Sequence, residues 1–195
     1  MSASYQVILL KCPQCTAPIG KNDKFCGYCQ SELLVRSLSQ YHELDKTIKV
    51  KYKTAYEDAL KQGDDSEVRA SLGICYLDLK LYDMALSAFE NAVRIDPTSE
   101  SALYYSALAI FRGRRPFVAQ MRSVKKAEEY LEAGAIIGSG KCSAALAVIY
   151  KDFYEMKHLH GARSSRECLE EARERGLTDE DLREISSELA APSIA

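Results

Sequence analysis

Residues 66–99 have the sequence SEVRASLGICYLDLKLYDMALSAFENAVRIDPTS. Small and large apolar residues recur in this stretch at helical spacing, at Leu72, Gly73, Tyr76, Ala85, Phe89 and Ala92. Small residues at Gly73, Ala85 and Ala92 allow two helices to approach closely, and the large Tyr76 and Phe89 fill the gaps between them. Proline cannot continue a helix, so Pro97 ends the second one. The stretch therefore predicts two packed helices joined by a short turn.

These positions also carry a family resemblance. Together with Pro97 they resemble the tetratricopeptide repeat (TPR), a helix–turn–helix unit of about 34 residues. Arg69 departs from the pattern, because the repeat usually has a large apolar residue at that place. The resemblance implies a mainly α fold, a TPR-like α-solenoid of helical hairpins.

The chain on either side of this unit is also expected to be helical. Tyr41, Leu44 and Ile48 begin the apolar face of one long helix, and residues 33–65 are predicted to be a linking helix or a degenerate repeat. Residues 177–195 are predicted to be a capping helix and tail. The predicted TPR-like region, residues 66–176, divides into repeats at 66–99, 100–139 and 140–176, and the last two have lengthened turns.

Two pairs of cysteines lie near the start of the chain. Two residues separate Cys12 from Cys15 and Cys26 from Cys29, and ten residues separate the pairs. A two-residue gap lets one tight turn direct two thiolates at the same metal, and a second such turn completes a tetrahedron. Four thiolates suit Zn²⁺, although iron is also chemically possible. We expect one structural zinc ion, since a closed shell of four cysteines leaves no position for a catalytic water.

The surroundings of these cysteines resemble the small zinc-ribbon modules of many bacterial and archaeal proteins. Cys-Pro-x-Cys is followed by Ala-Pro-Ile and then by Lys-Phe-Cys-x-x-Cys, a match that covers about residues 11 to 32. The resemblance implies a small N-terminal β zinc ribbon, residues 1–32, that acts in docking or stabilisation. Thr16 and Gln30 depart from the family, which usually has glycine after each pair of ligands. Glycine supplies a positive φ there, so we expect slightly altered turns.

Composition narrows the class of protein. The chain has 195 residues and a formal net charge of −2, which argues against the uniformly basic surface of a DNA-coating protein. The sequence contains neither an apolar run of roughly 20 residues, which would span a bilayer, nor the pattern of a signal peptide. We therefore expect a cytoplasmic protein. Cys75, Cys142 and Cys168 stand singly in helical patterns and are expected to be buried, reduced thiols.

The sequence gives little support for catalysis. It has no glycine-rich phosphate loop, no Gly-x-Ser-x-Gly and no His-Glu-x-x-His. His42, His158 and His160 lie in polar contexts without a neighbouring nucleophile, and two of them in one turn are weak evidence for a second metal site. We predict that the protein is not an enzyme.

The TPR resemblance implies a partner-binding groove lined by the first helix of each repeat. Carried over position by position, the groove residues are Ile74, Leu77, Asp78, Tyr104, Leu108, Phe111, Arg112, Val148, Lys151 and Asp152. Most of them are apolar, which suits a hydrophobic peptide or a second copy of the chain. The alternative is that the chain's own helices or loops cover these residues.

A second candidate surface is the basic stretch 112–126, which has six basic residues and no acidic one. Beyond Arg112, its basic residues are Arg114, Arg115, Arg122, Lys125 and Lys126. Interleaved with Phe117 and Met121, they suit nucleic-acid phosphates, an acidic protein or an anionic surface. The alternative is a solvated loop whose charges pair with neighbouring glutamates such as Glu128.

These observations favour a non-catalytic adaptor or scaffold that binds a protein or peptide partner. A nucleic-acid-associated protein, using the ribbon and the basic stretch, is the alternative. The sequence leaves the oligomeric state open, and a homo-oligomer is compatible with it.

Overall fold

The computed structural model describes residues 11–19 and 23–194, and over these residues the predicted mainly helical fold is confirmed. The first ten residues of the predicted ribbon, residues 20–22 and the last residue of the tail lie outside the described residues. The helices are α1 (Leu38–His42), α2 (Lys46–Gln62), α3 (Ser66–Asp78), α4 (Tyr82–Ile95), α5 (Glu100–Phe111), α6 (Met121–Ile136), α7 (Gly140–Ile149), α8 (Ser165–Glu174) and α9 (Asp179–Glu188). None of the described helices is both long and apolar enough to cross a membrane. Two compact units meet in sequence at Ser101 and Ala102, and each is described separately.

In the first unit, the predicted long helix is interrupted between α1 and α2. Asp45 has φ −58° and ψ 146°, an extended conformation that ends one helical run and precedes the next. Tyr41 is buried and its hydroxyl donates to the carbonyl of Lys49, across the break. The apolar spacing continues through this region, so the sequence pattern concealed the interruption.

The hairpin α3–α4 contains the small and large apolar residues at helical spacing, from Leu72 to Ala92. Asp65 accepts a hydrogen bond from the Val68 N–H and caps the start of α3. Gly73 lies directly against Phe89, and a Cβ built on it would be 2.4 Å from the Phe89 ring. The hydroxyl of Ser66 donates to the carbonyl of Ala92 at 3.1 Å, which ties the start of α3 to the end of α4. A glycine is therefore required where the two helices come closest.

In the second unit, α7 is the central helix. Every residue of α7 except Lys141 is buried, and α6, α8 and α9 all pack on it. Gly134 of α6 lies against Cys142, since a Cβ there would be 2.3 Å from the Cys142 sulfur. The close approach of α6 to α7 thus depends on a glycine, as the approach of α3 to α4 does.

A π-helical segment, Tyr150–Glu155, continues α7 and is followed by the loop that leads to α8. The N–H of Met156 donates to the carbonyl of Lys151, five residues earlier. The wider turn buries Tyr150, Asp152, Phe153 and Tyr154 on the inner side of the unit. π-helical segments are rare overall, and those that occur are often found at functional sites.

The last helix, α9, closes the second unit. Thr178 and Asp181 form a reciprocal capping box at its start, as their spacing predicts. Leu182 and Ile185 are buried. At the other end, the hydroxyl of Tyr104 in α5 donates to the Glu188 carboxylate. Burial raises the pKa of Glu188 above its usual value.

Candidate metal centre

The four-cysteine cluster (Cys12, Cys15, Cys26 and Cys29) is built from two turns with the same backbone pattern. In the first turn, the N–H of Thr16 donates to the Cys12 carbonyl at 2.9 Å, and the N–H of Cys12 donates to the Ala17 carbonyl at 2.8 Å. In the second turn, the corresponding bonds join Gln30 to Cys26 and Cys26 to Ser31, each at 2.9 Å. Each pair of cysteines is therefore held by its own closed turn.

Thr16 and Gln30 occupy the positions where the resembled family has glycine. Their φ angles are 63° and 58°, in the left-handed region that normally favours glycine. The residue types differ from the family pattern, but the backbone keeps the conformation that glycine would supply. The turns are thus preserved at the expense of local backbone strain.

Antiparallel pairing in this region is limited. Within residues 11–19 and 23–194 it consists of two isolated bridges, Lys11 with Pro18 and Phe25 with Glu32. Pro18 has no N–H to donate, so pairing cannot extend regularly through it. The β structure of the predicted ribbon stays a prediction.

The four sulfur atoms lie close enough to share one metal ion, all within 4.8 Å of one another. Cys12 Sγ is 3.7 Å from Cys29 Sγ, and Cys15 Sγ is 3.5 Å from Cys26 Sγ. In a tetrahedral zinc site, Zn–S bonds of about 2.3 Å place the sulfur atoms about 3.8 Å apart. The cluster therefore has the ligand type, number and spacing that a metal ion requires. It is the one such group in the described part of the chain.

Ser31 is a further residue of the site, and no sequence pattern predicts its role. Its Oγ lies 3.0 Å from Cys29 Sγ and 3.5 Å from Cys12 Sγ. The hydrogen bond from Ser31 lowers the pKa of Cys29 to about 6, which favours the thiolate. The N–H of Tyr28 also contacts Cys26 Sγ, at 3.5 Å. Ser31 and the backbone thus orient the sulfur atoms from outside the cluster.

The apolar core around the four-cysteine cluster is very small. It consists of buried Cys12, Cys26 and Leu33, with Ala17 and Ile19 packed against them. So few side chains cannot stabilise a fold alone, because small apolar cores contribute too little free energy. A bound metal would supply most of the stability of this region.

Two tyrosines of α2 fix the segment that leaves the cluster. The Tyr52 hydroxyl donates to the Glu32 carbonyl at 2.6 Å. The Tyr56 hydroxyl donates to the Leu33 carbonyl at 3.0 Å and accepts from the Val35 N–H at 2.9 Å. We call this set of contacts the tyrosine seam. It joins the four-cysteine cluster to the helices of the first unit.

The residues predicted to line a groove are mostly inside the fold. The buried ones are Ile74, Leu77, Tyr104, Leu108, Phe111, Val148 and Asp152, whereas Arg112 and Lys151 are exposed. Asp78 is largely covered and binds Lys49 at 3.0 Å and His42 at 3.0 Å. This burial favours the alternative in which the chain covers these positions itself. Their role in binding a partner stays a prediction.

The basic stretch 112–126 is divided between a loop and a helix. Arg114 and Arg115 lie in the loop before α6, whereas Arg122, Lys125 and Lys126 lie on α6 itself. Two of these charges are paired, as one interpretation of the sequence expected. Arg115 binds the buried carboxylate of Asp152, and Lys125 binds Glu128 at 2.8 Å.

The remaining cysteines are buried, as predicted. Burial raises the pKa of Cys75 to about 12 and that of Cys168 to about 11. Both thiols are therefore protonated near neutral pH and are poor nucleophiles.

Neither the protein-family models nor the curated proteins that were searched contain a match to this chain.

Proposed function

We propose that the protein is a non-catalytic adaptor, in which a zinc-stabilised module precedes TPR-like helical hairpins that bind a protein partner. The observation that carries the proposal is the packing of Gly73 against Phe89, at two of the positions that give the TPR its close helix contact. Repeat scaffolds of this type act by holding other chains.

Zinc is the proposed metal because four thiolates form a soft, tetrahedral site. Its role is structural, since four protein ligands leave no position for a substrate or a reactive water. Hydrogen bonding from Ser31 to Cys29 supports thiolate ligation. Elemental analysis of the purified chain should find one zinc ion per protein. The same measurement on a Cys26→Ser/Cys29→Ser variant should find no zinc. A stoichiometry near zero in the native protein would refute this part of the proposal.

A nucleic-acid role is the second candidate, and the six basic residues of 112–126 are its basis. Pairing of Arg115 with Asp152 and of Lys125 with Glu128 removes two of these charges from a phosphate-binding surface. A gel shift at low salt tests this role, with Arg114→Ala/Arg122→Ala as the variant. Binding that weakens steeply with salt would favour nucleic acid over a protein partner.

Affinity purification of the tagged full chain from its native source tests the adaptor function. We expect a protein partner in stoichiometric amount. Substitutions at Tyr104 or Phe111 are unsuitable probes, because both side chains are buried and their loss would damage the fold. Recovery of the chain alone, at physiological salt and with zinc retained, would count against the adaptor.

A further inference from the structure

Three apolar side chains of the second unit are each exposed to solvent. Val118, Met121 and Met156 are 58%, 44% and 49% exposed. We call them, with the side chains that connect them, the methionine surface. Methionine is flexible and polarizable, and it is used where a surface must adapt to the apolar side chains of a partner.

A series of side-chain contacts links the two methionines, in part through the buried rings of Tyr154 and Phe153. Met121 Sδ lies 3.9 Å from the Tyr154 hydroxyl, and the Tyr154 ring packs edge-on against Phe153. Lys157 lies over the Phe153 ring at 3.9 Å and over Phe117 at 5.0 Å. Arg115 connects the Phe117 ring to Met156.

Arg115 contacts both sides of this path. Its guanidinium lies 5.1 Å from the centre of the Phe117 ring, and its Nη2 lies 3.7 Å from Met156 Sδ. The side chains from Met121 to Met156 are therefore linked by contacts, and they come from residues 115–118, the start of α6 and residues 153–157.

The charge around the methionine surface is positive. Residues 112–126 contain six basic residues and no acidic one, although the whole chain has a formal charge of −2. Arg114 and Arg122 are exposed. Two carboxylates that contact this stretch, Asp152 and Glu128, are buried and bind Arg115 and Lys125, and Glu155, next to Met156, pairs with Lys151. An apolar surface with a basic margin complements a ligand that is apolar and acidic.

The aromatic rings of this surface are poorly placed to bind nucleic-acid bases. Single-stranded nucleic acid binds through stacking on open aromatic faces. Phe153 is buried, and Lys157 and Arg115 both lie over the Phe117 ring. The most exposed apolar side chains of this surface are methionine and valine, which contact aliphatic side chains rather than bases. An insertion into lipid would favour exposed Trp, Phe or Leu, and the chain contains no Trp.

We propose that the methionine surface is the docking site for an acidic amphipathic segment of a protein partner. The apolar face of the segment contacts Val118, Met121 and Met156, and its acidic residues face Arg114 and Arg122. This inference rests on the proposed adaptor function and specifies the surface and the chemistry of the partner.

The test measures fluorescence anisotropy with the full, zinc-loaded chain. The probe is a labelled peptide in which leucine recurs at helical spacing and most other positions are glutamate. One control peptide has the same composition in scrambled order, and a second has lysine in place of glutamate. We expect saturable binding of the first peptide alone, weakening as salt rises.

Matched variants locate the binding site. Met121→Gln/Met156→Gln should weaken binding at least about tenfold, whereas Met84→Gln, an equally exposed methionine of the first unit, should not. Arg122→Glu should weaken binding, and Lys46→Glu is its control because both residues lie in the first turn of a helix. Circular dichroism of each variant verifies that the fold is retained.

Several outcomes would overturn the proposal. They are an absence of saturable binding, equal binding of the scrambled peptide, or equal loss in the control variants. Tighter binding of a single-stranded oligonucleotide or of anionic phospholipid vesicles at the same residues would assign the surface to another ligand. Should affinity purification recover a partner whose binding ignores Met121 and Met156, the adaptor function stands and this docking site does not.

Discussion

Different interactions hold the backbone in place in the four-cysteine cluster and in the α3–α4 hairpin. Around the cysteines, the core is limited to Cys12, Cys26 and Leu33, and the turns are closed by backbone hydrogen bonds. In the hairpin, a glycine and a phenylalanine interlock, and the helices bury a continuous set of apolar side chains. The first region has too few apolar side chains to be stable alone, and in the proposed function a metal ion stabilises it, whereas the second depends on close packing.

The stability of neighbouring parts of one chain can thus depend on different chemical conditions. Metal supply, pH and thiol oxidation act on the cysteines, because only deprotonated, reduced thiolates bind the metal. Those conditions leave close packing nearly unchanged. The tyrosine seam is where the two dependences meet, since Tyr52 and Tyr56 belong to a helix but bind the exit of the cluster.

Metal removal should separate the two regions most strongly. Chelation withdraws a contribution on the order of 10 kcal/mol, as measured for isolated zinc-finger peptides. Hydrogen exchange should show loss of protection in residues 11–36, with α3 to α9 largely protected. Loss of protection throughout the chain would show that the cluster is part of the helical core. A mock treatment without chelator is the control.

Tyr56→Phe tests the seam between the regions. The change leaves the buried Leu33 carbonyl and Val35 N–H without their partner, at a cost of about 1–3 kcal/mol for each unsatisfied group. Denaturant unfolding measures the loss of stability. Tyr52→Phe, which removes a single bond to Glu32, should have the smaller effect. Equal effects would mean that the seam does not depend on the doubly bonded hydroxyl.

Gly73→Ala tests close packing in the hairpin. The added methyl group would lie 2.4 Å from the Phe89 ring, so overpacking of about 1–3 kcal/mol exceeds the gain in helix propensity of about 1 kcal/mol. Thermal unfolding of the zinc-loaded chain should show net destabilisation. Addition of Phe89→Leu makes room for the methyl group, and the double variant should lose less than the sum of the single ones. A stabilised Gly73→Ala variant would contradict the packing argument.

Thr16→Gly should have the smallest effect, and it should be favourable. A β-branched residue at φ 63° is strained by about 1 kcal/mol, and glycine relieves that strain while it increases the freedom of the unfolded chain. We expect slightly slower loss of metal to a competing chelator. Gln30→Gly is the matched change in the second turn, where the strain is lower because glutamine is not β-branched. Faster metal loss in Thr16→Gly would show that the turn needs its threonine.

Much of the fold was predictable because its causes are local in the sequence. Cysteine spacing identifies the four cysteines that cluster, and the alternation of small and large residues from Leu72 to Ala92 identifies two packed helices. The cap formed by Thr178 and Asp181 is also local, since three residues separate them. Patterns of this kind report contacts between near neighbours along the chain.

The features that escaped prediction depend on contacts between distant residues. Tyr56 has the spacing of an ordinary apolar helix residue, and its hydroxyl partners lie more than twenty residues earlier. Ser31 acts through the folded turn, and Asp152 pairs with Arg115 only because the π-helical segment brings it there. The break at Asp45 was concealed because the apolar period continues across it.

The tyrosine seam also has a consequence for biosynthesis. Residues 12–29 leave the ribosome before α2, so a metal ion can close the cluster while the helices are still being made. Tyr52 and Tyr56 then meet a backbone segment that is already ordered, and docking α2 costs less conformational entropy. In a cell short of the metal, the same tyrosines would emerge next to a disordered segment. The fraction of newly made chains that fold correctly would then depend on the metal supply during their synthesis.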